Sequence, residues 1–165
     1  MTIVARFRAE LQASQGVSHR QLSLADGPRR LRCDLDQCDA LAATVYRLVL
    51  ESSELAHVDA PTLQRLSGEL AGRVNYLLEP LAPIETDALG CVVQMRSAPP
   101  QADDDGCRYY ELLVSRGGSL EICRYEQVPG QARRRIPAVL THEVAVRLAD
   151  DFARSLDSLA RSAAP

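Results

Sequence analysis

Acids and phenols concentrate in one stretch of this chain, where Glu111, Glu121 and Glu126 lie beside Tyr109, Tyr110 and Tyr125. Paired carboxylates perform acid–base work when their environments push their pKa values apart. Salt-bridged residues of a β-sheet have the same sequence appearance, so the stretch is a candidate for either role. His19, His57 and His142 are far apart and fall in loop or helix-cap positions, the pattern of lone surface histidines. The five cysteines, at 33, 38, 91, 107 and 123, form no C-x-x-C pair and no zinc spacing. A Cys–His nucleophile pair would meet only in the fold, and cysteines at apolar positions are more simply small core residues with free thiols.

Two charge runs stand out. Asp103-Asp104-Asp105-Gly106 lacks the alternating acids and the downstream glutamate of a calcium loop, so it reads as a solvated loop tip able to meet an Arg-rich partner. Arg133-Arg134-Arg135 is the densest basic run. As a strand it would place Arg133 and Arg135 on one face and Arg134 on the other, where Glu111, Glu121 or Glu126 could pair with them. No RRM or helix-turn-helix signature accompanies it, so nucleic acid is not the expected partner. No nucleotide loop, metal cluster or nucleophile constellation is present, and no cofactor is expected.

The elements that must position these groups follow from periodicity. Ile3, Val4, Phe7 and Leu11 predict an amphipathic helix over 1–16, capped by Thr2 and ended at Gly16, which packs either on the sheet or on a partner subunit. Leu22 and Leu24, the turn Asp26-Gly27-Pro28, then Leu31, Cys33 and Leu35 predict a hairpin. Leu41, Val45, Leu48 and Val49 share one helical face and predict a helix from Asp36 to about Glu51. A second helix starts at Asp59, with Pro61 in its first turn and Leu63, Leu66, Leu70, Val74 and Leu77 as its stripe. Gly68 and Gly72 inside it predict either the close approach of another helix or plain solvent exposure.

An antiparallel meander is predicted for Pro83–Asp87, Leu89–Ser97, Cys107–Ser115, Ser119–Gln127 and Ala132–Ile136, with an exposed loop at Ser97–Gly106. A long C-terminal helix starts at Thr141 and carries Val144, Leu148, Phe152, Leu156 and Leu159 on one side. The fold class is therefore α+β: one domain over 1–165 with a single antiparallel sheet of four to six strands, two central helices and a long C-terminal helix mainly on one face.

With Gly117-Gly118 as a two-residue turn, Leu113 would face Ile122, Leu112 would face Cys123, Glu111 would face Arg124 and Tyr110 would face Tyr125. That register sends Tyr110, Leu112, Val114, Cys123 and Tyr125 toward the helices. It leaves Leu113, Leu120, Ile122, Glu111 and Arg124 on the other face, which with Arg133 and Arg135 forms the expected binding surface.

A chain of 165 residues, 46% hydrophobic and 25% charged, suits one globular domain. It has no apolar run long enough to span a membrane and no signal-peptide core, and unpaired thiols fit a reducing cytoplasm. All nineteen basic residues are arginine. Six of them against Glu10 and Asp26 make the segment to Arg32 basic, while 33–111 is strongly acidic, and such asymmetry can bring two copies together. The expected function is a non-catalytic protein-binding or adaptor module that self-associates as a homodimer. The alternatives are a carrier of small apolar ligands with helix-grip element order, and a small enzyme using the Glu and Tyr residues of the sheet.

Overall fold

The computed structural model describes residues 1–90 and 92–162. Helix α1 (Ile3–Ala13) is followed by three strands, β1 (Ser18–Asp26), β2 (Arg29–Cys38) and β3 (Ala42–Ser52), and by a short 3-10 turn. Helix α2 (Ala60–Arg73) leads into β4 (Leu81–Asp87), β5 (Val92–Ser97), β6 (Gln101–Asp103), β7 (Gly106–Ser115), β8 (Ser119–Gln127), β9 (Arg134–Ile136) and β10 (Ala138–Thr141). Helix α3 (His142–Ser162) is the last described element. The result is α+β, with a ten-stranded open antiparallel sheet whose main order is β1-β2-β3-β8-β7-β5-β4. These are more than the four to six strands expected, because β3 stands where a helix was predicted and β6 forms inside the predicted loop 97–106. β9 pairs with β8 and β10 with β3, so the chain before α3 runs along the gap where β3 and β8 part.

The predicted helix over Asp36 to Glu51 is not formed; its place is taken by the end of β2 and by β3. Between Val45 and Arg47 the β2–β3 register shifts, and Tyr46 is the extra residue. Such a bulge puts Val45 and Leu48 on the same sheet face although they are three apart, which imitates the spacing of a helix. Leu48, Val49 and Leu50 are all buried, on alternate faces of a central strand, and Leu41, the supposed first helical contact, is 79% exposed.

The other helices form, although α2 stops at Arg73 and leaves Leu77, the last of its predicted stripe, outside the helix. Asp59 caps α2 by accepting from the Thr62 N–H at 2.9 Å, and the Thr141 hydroxyl accepts from the Val144 N–H at 3.2 Å at the start of α3. Ile3, Phe7 and Leu11 of α1 are buried in the chain's own core against α3 and β1, so the helix spends its apolar face within its subunit. Gly68 and Gly72 face open space, with nothing within 4 Å of where a side chain would begin.

The central hairpin settles into a third register. Ser115 pairs with Ser119 across a three-residue connection, which sets Leu112 against Ile122, Leu113 against Glu121, Glu111 against Cys123, Tyr110 against Arg124 and Tyr109 against Tyr125. Gly118 takes the positive φ, 104°, that a three-residue hairpin needs at its last position. Its carbonyl accepts from the Ser52 N–H at 2.7 Å, and a Cβ there would sit 3.1 Å from the Ser52 carbonyl oxygen. Docking of the turn against the end of β3 thus selects a loop length that pair-by-pair matching of two-residue turns does not consider.

This shift of one exchanges the faces of β8. Leu120, Ile122 and Arg124 join Tyr110, Leu112 and Val114 on the helix-covered side, in or beside the core with Leu48, Leu50, Phe152 and Leu156. Cys123 and Tyr125, predicted to meet the helices, lie on the opposite face with Tyr109, Glu111, Leu113 and Val49.

Candidate functional site

The sheet face without helices gathers Glu111, Arg133, Arg135 and Leu113 of the predicted surface, and adds Tyr109, Tyr125, Arg96, Arg47 and Glu121. Leu120, Ile122 and Arg124 are absent from it. The rings of Tyr109 and Tyr125 stack with centroids 6.0 Å apart, because the two residues are directly paired across β7 and β8. The Arg96 guanidinium lies 5.2 Å from the Tyr109 centroid. Those of Arg133 and Arg135 lie 4.3 and 5.8 Å from that of Tyr125. On β9 Arg135 takes this face and Arg134 the other, where it meets Glu126 at 2.6 Å, while Arg133, in the loop before the strand, reaches Glu111 on this face.

Two carboxylates serve four guanidiniums. Glu111 accepts from Arg133 at 2.6 Å, from Arg96 at 2.9 Å and from Gln94 at 2.6 Å, and is only 3% exposed. Glu121 accepts from Arg47 at 2.7 Å, while Arg135 stands 3.6 Å away from it. Among the described residues, Arg47 Nε is the buried side-chain polar atom with no hydrogen-bond partner. Val49 and Tyr109 are buried without a helix over them, under the stems and heads of these arginines.

The Glu111 carboxyl is pushed up by burial, but the hydrogen bonds from Arg133, Arg96 and Gln94 outweigh that and hold it below the usual range. Its contribution to stability is therefore present above the ordinary value of 4.5 and is lost as pH falls through the lower folded value. Acid titration of unfolding free energy is expected to fall below that pH, and Glu111→Gln is expected to flatten the limb. An unchanged slope in that variant would contradict the pairing. Glu126 is likewise held low, by hydrogen bonds from Arg134 and Arg108. Glu111 and Glu126 are thus ion-pair acceptors, both shifted away from the raised pKa that a general acid requires.

The fold does bring one Cys–His pair together: Cys38 Sγ lies 3.4 Å from His142 Nε2, linking the end of β2 to the start of α3. Burial raises the Cys38 thiol, with Asp39 adding to the effect, so it is a protonated side chain that also reaches the Leu11 carbonyl oxygen at 3.4 Å. Activated nucleophiles have lowered pKa values, and this arrangement works the other way. Sequence alone could not pair residues 104 apart.

Cys33, Cys38, Cys107 and Cys123 are free; Cys91 lies outside the described residues. Cys107 is half-buried on β7, whereas Cys123 on β8 is buried and pushed up to about 12, chiefly by that burial. Alkylation of the native protein is expected to spare Cys33, Cys38 and Cys123 until it unfolds. Peptide mapping that found any of the three labelled early would refute their placement.

His19 pairs with Asp36 at 3.0 Å on the rim of the sheet. Asp103 accepts from the backbone N–H groups of Asp105 and Gly106 and closes the β6–β7 turn, so this acid of the run has a local structural task. No three His, Cys, Asp or Glu side chains converge as a metal site among the described residues. Beneath α3, the gap lined by Leu48, Tyr110, Ile122 and Leu148 holds about 10 Å³, too little for a ligand. No described helix is long and apolar enough to cross a membrane. No family model, curated protein or solved structure matches this chain.

Proposed function

We propose that the protein is a non-catalytic protein-binding module whose working surface is the helix-free face of the sheet. The observation that carries this is the stacked pair Tyr109–Tyr125 flanked by Arg96, Arg133 and Arg135 on an otherwise uncovered face. Tyrosine and arginine are the residue types over-represented at binding hot spots, since each offers a rigid apolar plane together with polar edges. Packing supports the same reading, because the gap between the sheet and Leu148 of α3 is filled and Glu111 and Glu126 are held in ion pairs.

A photo-crosslinking residue placed at Leu113 in the native host tests the assignment. Discrete protein adducts are expected there, lost on Tyr125→Ala and missing when the crosslinker replaces the exposed Arg154 of α3. Equal labelling from both positions would overturn it.

Self-association belongs to the same proposal. The outward side of α2 carries the bare Gly68 and Gly72. On β4, the last strand of the sheet order, and beside it, Leu78, Ile84 and Leu89 are exposed. Each glycine costs about 1 kcal/mol relative to alanine, and nothing within the subunit requires it. A second copy packed there would. Light scattering is expected to give twice the 18.1 kDa of one chain, and Gly68→Leu with Gly72→Leu to leave the single-chain mass. A wild-type protein that stays at 18.1 kDa at micromolar concentration would end this part of the proposal.

A further inference from the structure

Around Tyr109 and Tyr125 the helix-free face carries more guanidiniums than carboxylates, whereas farther along it Arg32 is matched by Glu51. Arg133 and Arg96 share Glu111, and Arg47 and Arg135 share Glu121, so four guanidiniums meet two carboxylates. Asp34, the next acid beside Arg47, already accepts from Gln21 at 2.7 Å. Arg135 is the least satisfied of the four: Glu121 is 3.6 Å away and the Tyr125 hydroxyl accepts at 3.4 Å. It is nevertheless placed beside the Tyr125 ring next to Arg133, and the two side chains are 41% and 38% exposed. A guanidinium held against an aromatic plane, with donors unused, is arranged to take a carboxylate in a forked hydrogen bond.

We infer that the partner of this face is an acidic, extended protein segment, whose carboxylates dock on Arg133 and Arg135 around Tyr125 while its apolar side chains cover Leu113. The inference rests on the protein-binding reading above and adds the chemistry of the partner. Charge complementarity selects it: the whole chain is net −3, yet the cluster around Tyr125 has an excess of cations, so an acidic segment would be steered here.

Fluorescein-labelled deca-glutamate, deca-lysine and a ten-nucleotide oligo-dT serve as probes with the full chain, read by anisotropy and by amide shift mapping. Deca-glutamate is expected to bind at least about tenfold tighter than the other two, to weaken as salt rises, and to shift amides of β7, β8 and β9. Arg133→Ala with Arg135→Ala is expected to weaken it about tenfold or more. That variant keeps the fold testable, because Glu111 retains Arg96 and Gln94 and Glu121 retains Arg47. Arg154→Ala on α3 is expected to change nothing.

Oligo-dT binding as tightly as deca-glutamate would overturn the inference in favour of a phosphate partner. Deca-glutamate binding that maps elsewhere, or that survives the double substitution, would overturn it outright. Crosslinked adducts at Leu113 together with no deca-glutamate binding would reject the acidic chemistry while leaving the protein-binding surface standing. Absence of both would reject the two together.

Discussion

Arg124→Ala is expected to cost about 3–5 kcal/mol of unfolding free energy, among the largest losses available to any single substitution in this chain. Arg124 donates to Glu79 at 3.1 and 3.2 Å, both side chains are under a tenth exposed, and the guanidinium lies 4.4 Å from the Tyr110 centroid. Ser97 ties into the same cluster, donating to Glu79 at 3.3 Å and accepting from the Tyr110 N–H at 2.7 Å, and Gln101 accepts from Arg124 at 2.9 Å. Removal of the cation would leave a buried carboxylate uncompensated, and that penalty exceeds the net worth of the pair itself. Glu79→Ala should cost a similar amount for the opposite charge. Glu79→Leu combined with Arg124→Met should recover most of the loss, since apolar pairs of similar volume often replace buried ion pairs at little cost. Urea unfolding of the three variants checks this. Single losses below about 1 kcal/mol, or a double variant no better than either single one, would show that the pair is not desolvated as described.

Phe7→Ala is expected to cost a further class of energy, about 3–5 kcal/mol, through an unfilled cavity. Phe7 is fully buried between Ile3 and Leu11 in the core that α1 shares with α3 and the β1–β2 hairpin. Because this helix packs within its own subunit, the loss should be the same at low and high protein concentration. A loss that vanished on dilution would instead mean that α1 is held by a second copy. A change under about 1 kcal/mol would place the helix outside the cooperative unit.

Local chemistry alone determined the outer parts of this architecture. Thr2, Asp59 and Thr141 cap helices because their side-chain oxygens reach nearby backbone N–H groups, and the stripes Ile3-Phe7-Leu11 and Leu63-Leu66-Leu70 bury one face each. The Gly27-Pro28 turn joins Asp26 to paired Arg29, and the free thiols of 33, 38, 107 and 123 follow from spacings that offer no framework. The alternation of Arg134 and Arg135 was equally legible, since strand alternation needs no knowledge of the partner strand, although the strand starts at Arg134 and leaves Arg133 in the loop before it.

Tertiary contact decided the rest. The bulge at Tyr46 is a property of the β2–β3 pair, so a strand could present Val45 and Leu48 at helical spacing and be taken for a helix. Docking of Gly118 on Ser52 chose a three-residue turn, and because side chains alternate with period two, that single step moved Leu120, Ile122 and Arg124 from the expected binding face to the core side. The same step paired Tyr109 with Tyr125 and brought Arg133, in the loop before β9, to Glu111, which the β5–β7 pairing separately sets opposite Arg96. Residues that meet across such distances carry no mutual signal along the chain, because only the packed sheet makes them neighbours.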